Sequence, residues 1–199
     1  MFIQVLRGKT NDPEAAKASG ERWQKEMKPG AKGFLGSTAG VADDGTYIGV
    51  IRFASEADAR ANSDRPEQGK WSEENSKHFE GGLTFYDCPD VDVIGSGDFD
   101  SAGFVQVMFF RPKDAAALRG RPDVAEKVLA SRPDLLGETR AFATDGTVIE
   151  TAYFTSEDAA RKAETSPLPA DIQPIVAEFR ANAGEIEFVD LRDPQMHGA

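Results

Sequence analysis

Residues 35–60 read LGSTAGVADDGTYIGVIRFASEADAR, and residues 136–161 read LGETRAFATDGTVIETAYFTSEDAAR. Leu35, Gly36, Thr38, Ala42, Asp44, Gly45, Thr46, Ile48, Phe53, Ser55, Glu56, Ala59 and Arg60 each return 101 positions later. Ordinary residue usage would give roughly one or two chance matches over such a window. The chain is therefore a tandem duplication. A repeat of this length is too long for a solenoid unit and suits a small domain.

The duplicated block contains its own structural signals. Asp44-Gly45 and Asp145-Gly146 separate runs rich in strand formers, which predicts a hairpin over Phe34 to Ala54 and again over Leu135 to Phe154. Ser55 followed by Asp58 resembles a capping box and opens a helix, and Ser156 repeats the signal. Working outward, Phe2 to Arg7 alternates side chains as a first strand. Asp12 and Pro13 start a helix carrying Ala16, Gly20, Trp23 and Met27 at helical steps, and Pro29-Gly30 stops it. Pro66 to Phe79 reads as helical and Leu83 to Cys88 as a fourth strand. The order is βαββαβ, a ferredoxin-like unit.

The same order repeats from Phe104 to Leu191, with a first helical region broken at Gly120 and Pro122 and a better amphipathic segment at Val124 to Ala130. The sequence thus predicts one repeat over 1–88, a Gly- and Asp-rich linker over 89–103, a second repeat over 104–191 and an untethered tail over 192–199. A four-stranded sheet with helices on one face leaves its other face bare. The expected fold is α+β: two ferredoxin-like repeats whose antiparallel sheets pack face to face as an intrachain pseudo-dimeric barrel, monomeric in solution.

At this point the chain resembles the dimeric α/β-barrel superfamily, and within it the antibiotic-biosynthesis-monooxygenase-like group. Topology carries the resemblance, once per half. The run Ser55, Glu56, Ala59, Arg60, Ala61, Asn62, Ser63, Arg65, Pro66, Glu67, Gln68 is also similar to a stretch in tandem members of that group. The superfamily includes cofactor-free monooxygenases, haem-degrading enzymes, lactone isomerases and members without known activity, so fold does not choose the reaction.

A net charge of −11 opposes binding to a phosphate backbone or an anionic membrane, and the chain has no basic cluster to override it. The expected partner is a small molecule. Cys88 is the only cysteine, which excludes an intrachain disulfide. No apolar run reaches membrane-spanning length and Met1 to Arg7 lacks signal-peptide character, so a cytoplasmic location is the expectation. No His and carboxylate set falls at a metal-ligand spacing, so no metal is expected.

Features that both halves keep serve the fold, whereas features of one half are candidates for a site. Gln4 and Gln106 are polar residues in otherwise apolar first strands. Each either points its amide into the space between the sheets to orient a ligand oxygen, or satisfies neighbouring groups. Trp71, His78, Tyr86 and Cys88 occur in the first half alone, where the second has Asp171, Glu178, Val189 and Leu191. His78 is either a base near neutral pH or a solvated residue near a helix end.

The resemblance implies two chemistries. In the first, an electron-rich aromatic or polyketide-like substrate reduces oxygen without a cofactor; His78 is then the catalytic base, and Gln4, Trp71, Tyr86 and Gln106 bind the substrate. In the second, haem is bound: haem-degrading members use a first-strand amide with a Trp and a His, and Gln4, Trp71 and His78 stand in that order. There a Gln replaces the usual Asn and the Trp-to-His spacing is shorter. A non-catalytic ligand-binding or stress-related protein of the same fold is the reading from a different class.

Overall fold

The computed structural model describes residues 1–95, 99–119 and 122–199, with the side chains of residues 122–125 outside the description. The chain divides into two compact units, Met1–Asp90 with Asp193–Ala199, and Val91–Arg192. The first contains β1 (Phe2–Lys9), α1 (Pro13–Glu26), β2 (Phe34–Val41), β3 (Thr46–Phe53), α2 (Glu56–Ser63), α3 (Pro66–Ser76) and β4 (Glu80–Cys88). After β5 (Asp90–Gly95), the second contains β6 (Phe104–Phe110), α4 (Pro122–Ala130), β7 (Leu135–Phe142), β8 (Val148–Phe154), α5 (Glu157–Thr165), α6 (Gln173–Ala183) and β9 (Ile186–Leu191). A last strand, β10 (Gln195–Gly198), closes the chain. Of the break expected at Gly120 and Pro122, Gly120 lies outside the described residues and Pro122 is the first residue of α4.

The duplicated block forms as its residues dictate. Gly45 and Gly146 turn the hairpins at φ +83° and +88°, in the left-handed region that disfavours a side chain. The Ser55 hydroxyl accepts from the Asp58 amide at 3.1 Å and the Ser156 hydroxyl from the Ala159 amide at 3.2 Å, capping α2 and α5. Each hairpin turn is also clamped by a cation from the preceding strand's end. Lys9 pairs with Asp44 at 2.6 Å, and Arg111 with Asp145 at 2.8 Å.

Helices cover one face of each sheet. In the first unit Phe2, Phe34 and Phe53 from three strands meet Trp23 of α1 and Ala59 of α2, with Trp71 of α3 packed against them. In the second, Phe104, Leu135 and Phe154 meet Ala160 and Ala163 of α5, while Phe110, Phe142 and Val148 meet Ala183 and Phe179 of α6. Each such aromatic contributes about 1.5–3 kcal/mol through burial. Because side chains alternate along a strand, Ile3, Val5, Ile48 and Val50 lie on the face away from the helices, where they are also fully buried.

Two sequence expectations are corrected. The segment 89–103 is not wholly linker, since Asp90–Gly95 is a strand beside β7. The alternation of Val91 and Val93 with Asp90 and Asp92 carries a strand signal that the surrounding Pro, Gly and Asp residues obscure. The tail is not untethered either: Gln195, Met196, His197 and Gly198 pair antiparallel with Ala39, Thr38, Ser37 and Gly36 of β2. Lys28 Nζ donates to the Gly198 carbonyl at 2.9 Å and holds it there. Each sheet is thereby five-stranded, in the orders β10-β2-β3-β1-β4 and β5-β7-β8-β6-β9. The added strand covers the hairpin edge that would otherwise expose its N–H and C=O groups.

Deleting residues 193–199 uncovers the β2 edge. At roughly 0.5–1.5 kcal/mol per lost hydrogen bond, the truncated chain is expected to melt earlier and to exchange its amides faster at residues 36–39. Unchanged exchange at those residues would show that β10 adds nothing to the edge.

Candidate functional site

The two strand glutamines sit at equivalent places on the helix-covered faces, not on the faces turned away from the helices. Gln4 follows the parity of Phe2, and Gln106 lies between Phe104 and Met108, all core residues under the helices. Gln4 Nε2 donates to Asp87 Oδ1 at 2.8 Å, and Gln106 Nε2 donates to Asp190 Oδ1 and Glu164 Oε1, both at 3.0 Å. Arg161 pairs with the same Asp190 and with Glu157 and Glu164. In the first unit Arg60 pairs with Glu56 at 2.6 Å and feels the charge of Asp87. In both units the first-strand glutamine is thus tied to an aspartate of the neighbouring strand, and in the second unit Arg161 extends the tie to α5. A feature present twice in this form belongs to the fold.

The first-unit residues singled out by sequence do not converge. Trp71 packs on the apolar cluster around Phe2. Tyr86 is the cross-strand partner of Val5, so it faces away from the helices, with the sheet between it and Trp71. His78 lies half-buried in the turn after α3, and among the described residues no carboxylate orients its ring. Its neighbour Phe79 reaches Gly8, which is about 13 Å along the strand from Gln4 at 3.3 Å per residue. With the Gln4 amide taken by Asp87 and Trp71 in the core, Gln4, Trp71 and His78 do not fit the haem arrangement.

The second unit holds ionisable chemistry under its helices instead. Glu138 and Arg140 on β7 lie opposite Ala152 and Glu150 on β8, and Ala152 is part of the helix-side core. Arg140 forms an ion pair with Glu150, donates to the Leu118 carbonyl at 2.8 Å and lies 5.6 Å from the centre of the Phe179 ring. Glu150 is buried. Burial and the negative charge of Glu150 push the Glu138 carboxyl from 4.5 up to about 7, against the positive charges of Arg140 and Arg132. This group can gain and lose a proton near neutrality.

The duplication contains the signal for this cluster. At the positions of Arg132, Glu138, Arg140 and Glu150 the first repeat has Ala31, Ser37, Ala39 and Gly49. A compensating exchange makes room for the charges. In the first unit Tyr47 lies across Gly49, its hydroxyl 3.1 Å from the place of a Cβ there, and packs tilted against Phe79 with ring centres 4.9 Å apart. The second unit has Val148 in place of Tyr47, and Glu150 with Arg140 takes up the space.

An open cleft of about 560 Å³ lies between the turn before β7, the α5–α6 connection and α6, and of the cluster Arg132 alone lines it. Arg132, Glu164, Ser166, Gln173 and Arg180 line it together with Pro167, Leu168, Val176 and Ala177. Burial and the charge of Arg180 act to lower the affinity of the Arg132 guanidinium for its proton, while Glu138 and Glu164 act to raise it. Arg132 thus connects the cleft electrostatically to Glu138. The volume falls within the roughly 300–1,000 Å³ of small-molecule sites.

No family model matches the chain, and no curated protein matches it in sequence. Solved structures do match along its whole length. A proposed monooxygenase from Fusobacterium nucleatum superposes with TM-score 0.76 at 8% identity, over 99% of this chain and 94% of that one. A second, from Lactobacillus acidophilus, gives 0.70 at 14% identity over 98% of each chain. An anthrone oxidase-like protein gives 0.66 at 13% identity, over 98% and 92%.

The raised carboxyl makes stability depend on pH. Between about pH 4.5 and 7 the unfolded chain has released the Glu138 proton while the folded chain keeps it, so stability falls as pH rises through this window. The fall is expected to reach about 3 kcal/mol. Glu138→Gln should remove it and leave the variant the more stable form at pH 8. Parallel denaturation curves for both proteins between pH 5 and 8 would refute the assignment. At such low identities the fold alone is shared, and the chain is a tandem ferredoxin-like protein with the architecture of these monooxygenase-named structures from end to end.

Proposed function

We propose that the protein is a small-molecule enzyme of monooxygenase type, acting on an electron-rich aromatic or polyketide-like compound in the second-unit cleft. The observation that carries this reading is Glu138, a carboxyl held near pH 7 and coupled by charge to Arg132 in the wall of a cleft of ligand size. A general base is most useful when its pKa lies near the working pH. Glu138 takes the place that the sequence suggested for His78.

In this chemistry a phenol or enol of the bound substrate gives its proton to Glu138. The electron-rich carbon then passes electrons to dioxygen. One oxygen atom becomes a carbonyl at the oxidised methylene, and the other leaves as water with the two hydrogens of that methylene. The substrate supplies the electrons, and the protein supplies deprotonation and position. The full-length likeness to the anthrone oxidase-like structure supports a tricyclic phenol as the first compound to try.

Oxygen uptake with 1,8-dihydroxyanthrone tests the reading. The rate is expected to rise with pH to a plateau above about 7, following ionisation of Glu138. Glu138→Gln should lower it about 10²- to 10⁴-fold while the protein stays folded. Oxidation by Glu138→Gln at the unaltered rate would remove Glu138 from the mechanism.

A further inference from the structure

The geometry points to Arg132 and Arg180 as a carboxylate-binding pair, so that the cleft takes an aromatic carboxylate rather than a neutral ring. This inference deepens the proposed function and rests on the same cleft.

The chain has 34 acidic and 23 basic residues, so carboxylates are abundant. Arg22, Arg60, Arg65, Arg111, Arg140 and Arg161 all stand in ion pairs. Arg132 and Arg180 line one cleft and, among the described residues, neither is in an ion pair. They also act on each other as like charges. Two cations facing a common space repel, and a bound anion relieves that repulsion while satisfying both.

The carboxylate that shares the cleft does not fill this role. Glu164 accepts from Gln106 at 3.0 Å and from Arg161 at 2.9 Å, so its charge is engaged on the side of α5. The remaining lining divides by chemistry. Gln173 donates its amide to the Leu168 carbonyl at 2.8 Å, which braces the α5–α6 connection. Pro167, Leu168, Val176 and Ala177 supply an apolar wall. A guanidinium plane also stacks on a ring as readily as it forks a carboxylate. A flat apolar ligand with one carboxylate matches both parts, whereas a bare inorganic anion would leave the wall unused.

The test is calorimetric titration of the full chain with 2-naphthoate and, separately, with 2-naphthamide and inorganic phosphate. The expected result is that the carboxylate binds more tightly than both. Arg132→Gln and Arg180→Gln should each weaken naphthoate roughly tenfold or more, as for loss of a charge-assisted hydrogen bond, and leave naphthamide unchanged. Arg132→Lys, which keeps the charge, should lose less, and unchanged melting curves would verify folding. Equal affinity for acid and amide, no binding of naphthoate, phosphate binding as tightly as naphthoate, or unaltered binding in both Gln variants would each overturn the inference. These readouts need no turnover. Oxidation of a neutral anthrone that depends on Glu138 but not on the two arginines would leave the proposed function standing and remove this inference alone.

Discussion

The Arg140–Glu150 ion pair is the constraint around which the second unit is arranged. Placing two charges under helices costs free energy unless each is paired and its remaining polar atoms are satisfied. Arg140 meets that demand from three sides, with Glu150 across the strand pair, the Leu118 carbonyl above and the Phe179 ring as a polarisable neighbour. Glu138 sits on the same strand, two residues away, without an ion-pair partner of its own among the described residues. Its carboxyl therefore keeps its proton to higher pH than a solvated one. Burial is the main cause, and the charge of Glu150 adds to it.

The first unit solves the same packing problem without charge. Tyr47 over Gly49, with Phe79 against it, fills the volume that Glu150 and Arg140 fill in the second. The two solutions compete for one space, because even a Cβ at position 49 would lie 3.1 Å from the Tyr47 hydroxyl. Duplication permits both. One copy keeps an apolar, aromatic filling, and the other is released to carry groups that would weaken a single-copy domain. What the copies share, the Gln–Asp hydrogen bond and the capped hairpin block, is what either filling requires.

This division explains what could be read from the sequence. The hairpins, the Ser55 and Ser156 caps and the order of elements depend on local periodicity and turn residues, and they were legible. β5 and β10 were not, because the short alternation in β5 is obscured by the surrounding Pro, Gly and Asp residues and the four residues of β10 are too few to show a period; pairing with β7 and β2 is what defines them. Gln4 and Gln106 could be recognised as unusual but not oriented, since Asp87 and Asp190 are more than eighty residues away in sequence. Trp71 and His78 stand out between the halves because they are rare residue types, whereas Ser37, Ala39 and Gly49 are inconspicuous although they correspond to Glu138, Arg140 and Glu150. Charge gained at a strand position that is small and buried in the other copy is the stronger signal, because it has to be supported by its surroundings.

The cleft and the cluster are also coupled through charge. Arg132 and Arg140 act to lower the affinity of Glu138 for its proton, and Glu150 acts to raise it. An anion held by Arg132 and Arg180 would cancel part of the first influence and leave the second intact, since Glu150 is committed to Arg140. Glu138 would then hold a proton more firmly with the site filled than with it empty, and by linkage the protonated form would favour the filled site by the same factor. Glu164 is not among the charges acting on Glu138, and its own charge is met by Arg161. A carboxylate substrate would thus shift the ionisation of Glu138, and the rise of the rate that follows it, to higher pH. The arrangement needs no movement of the backbone, because the coupling runs through charge across Arg132.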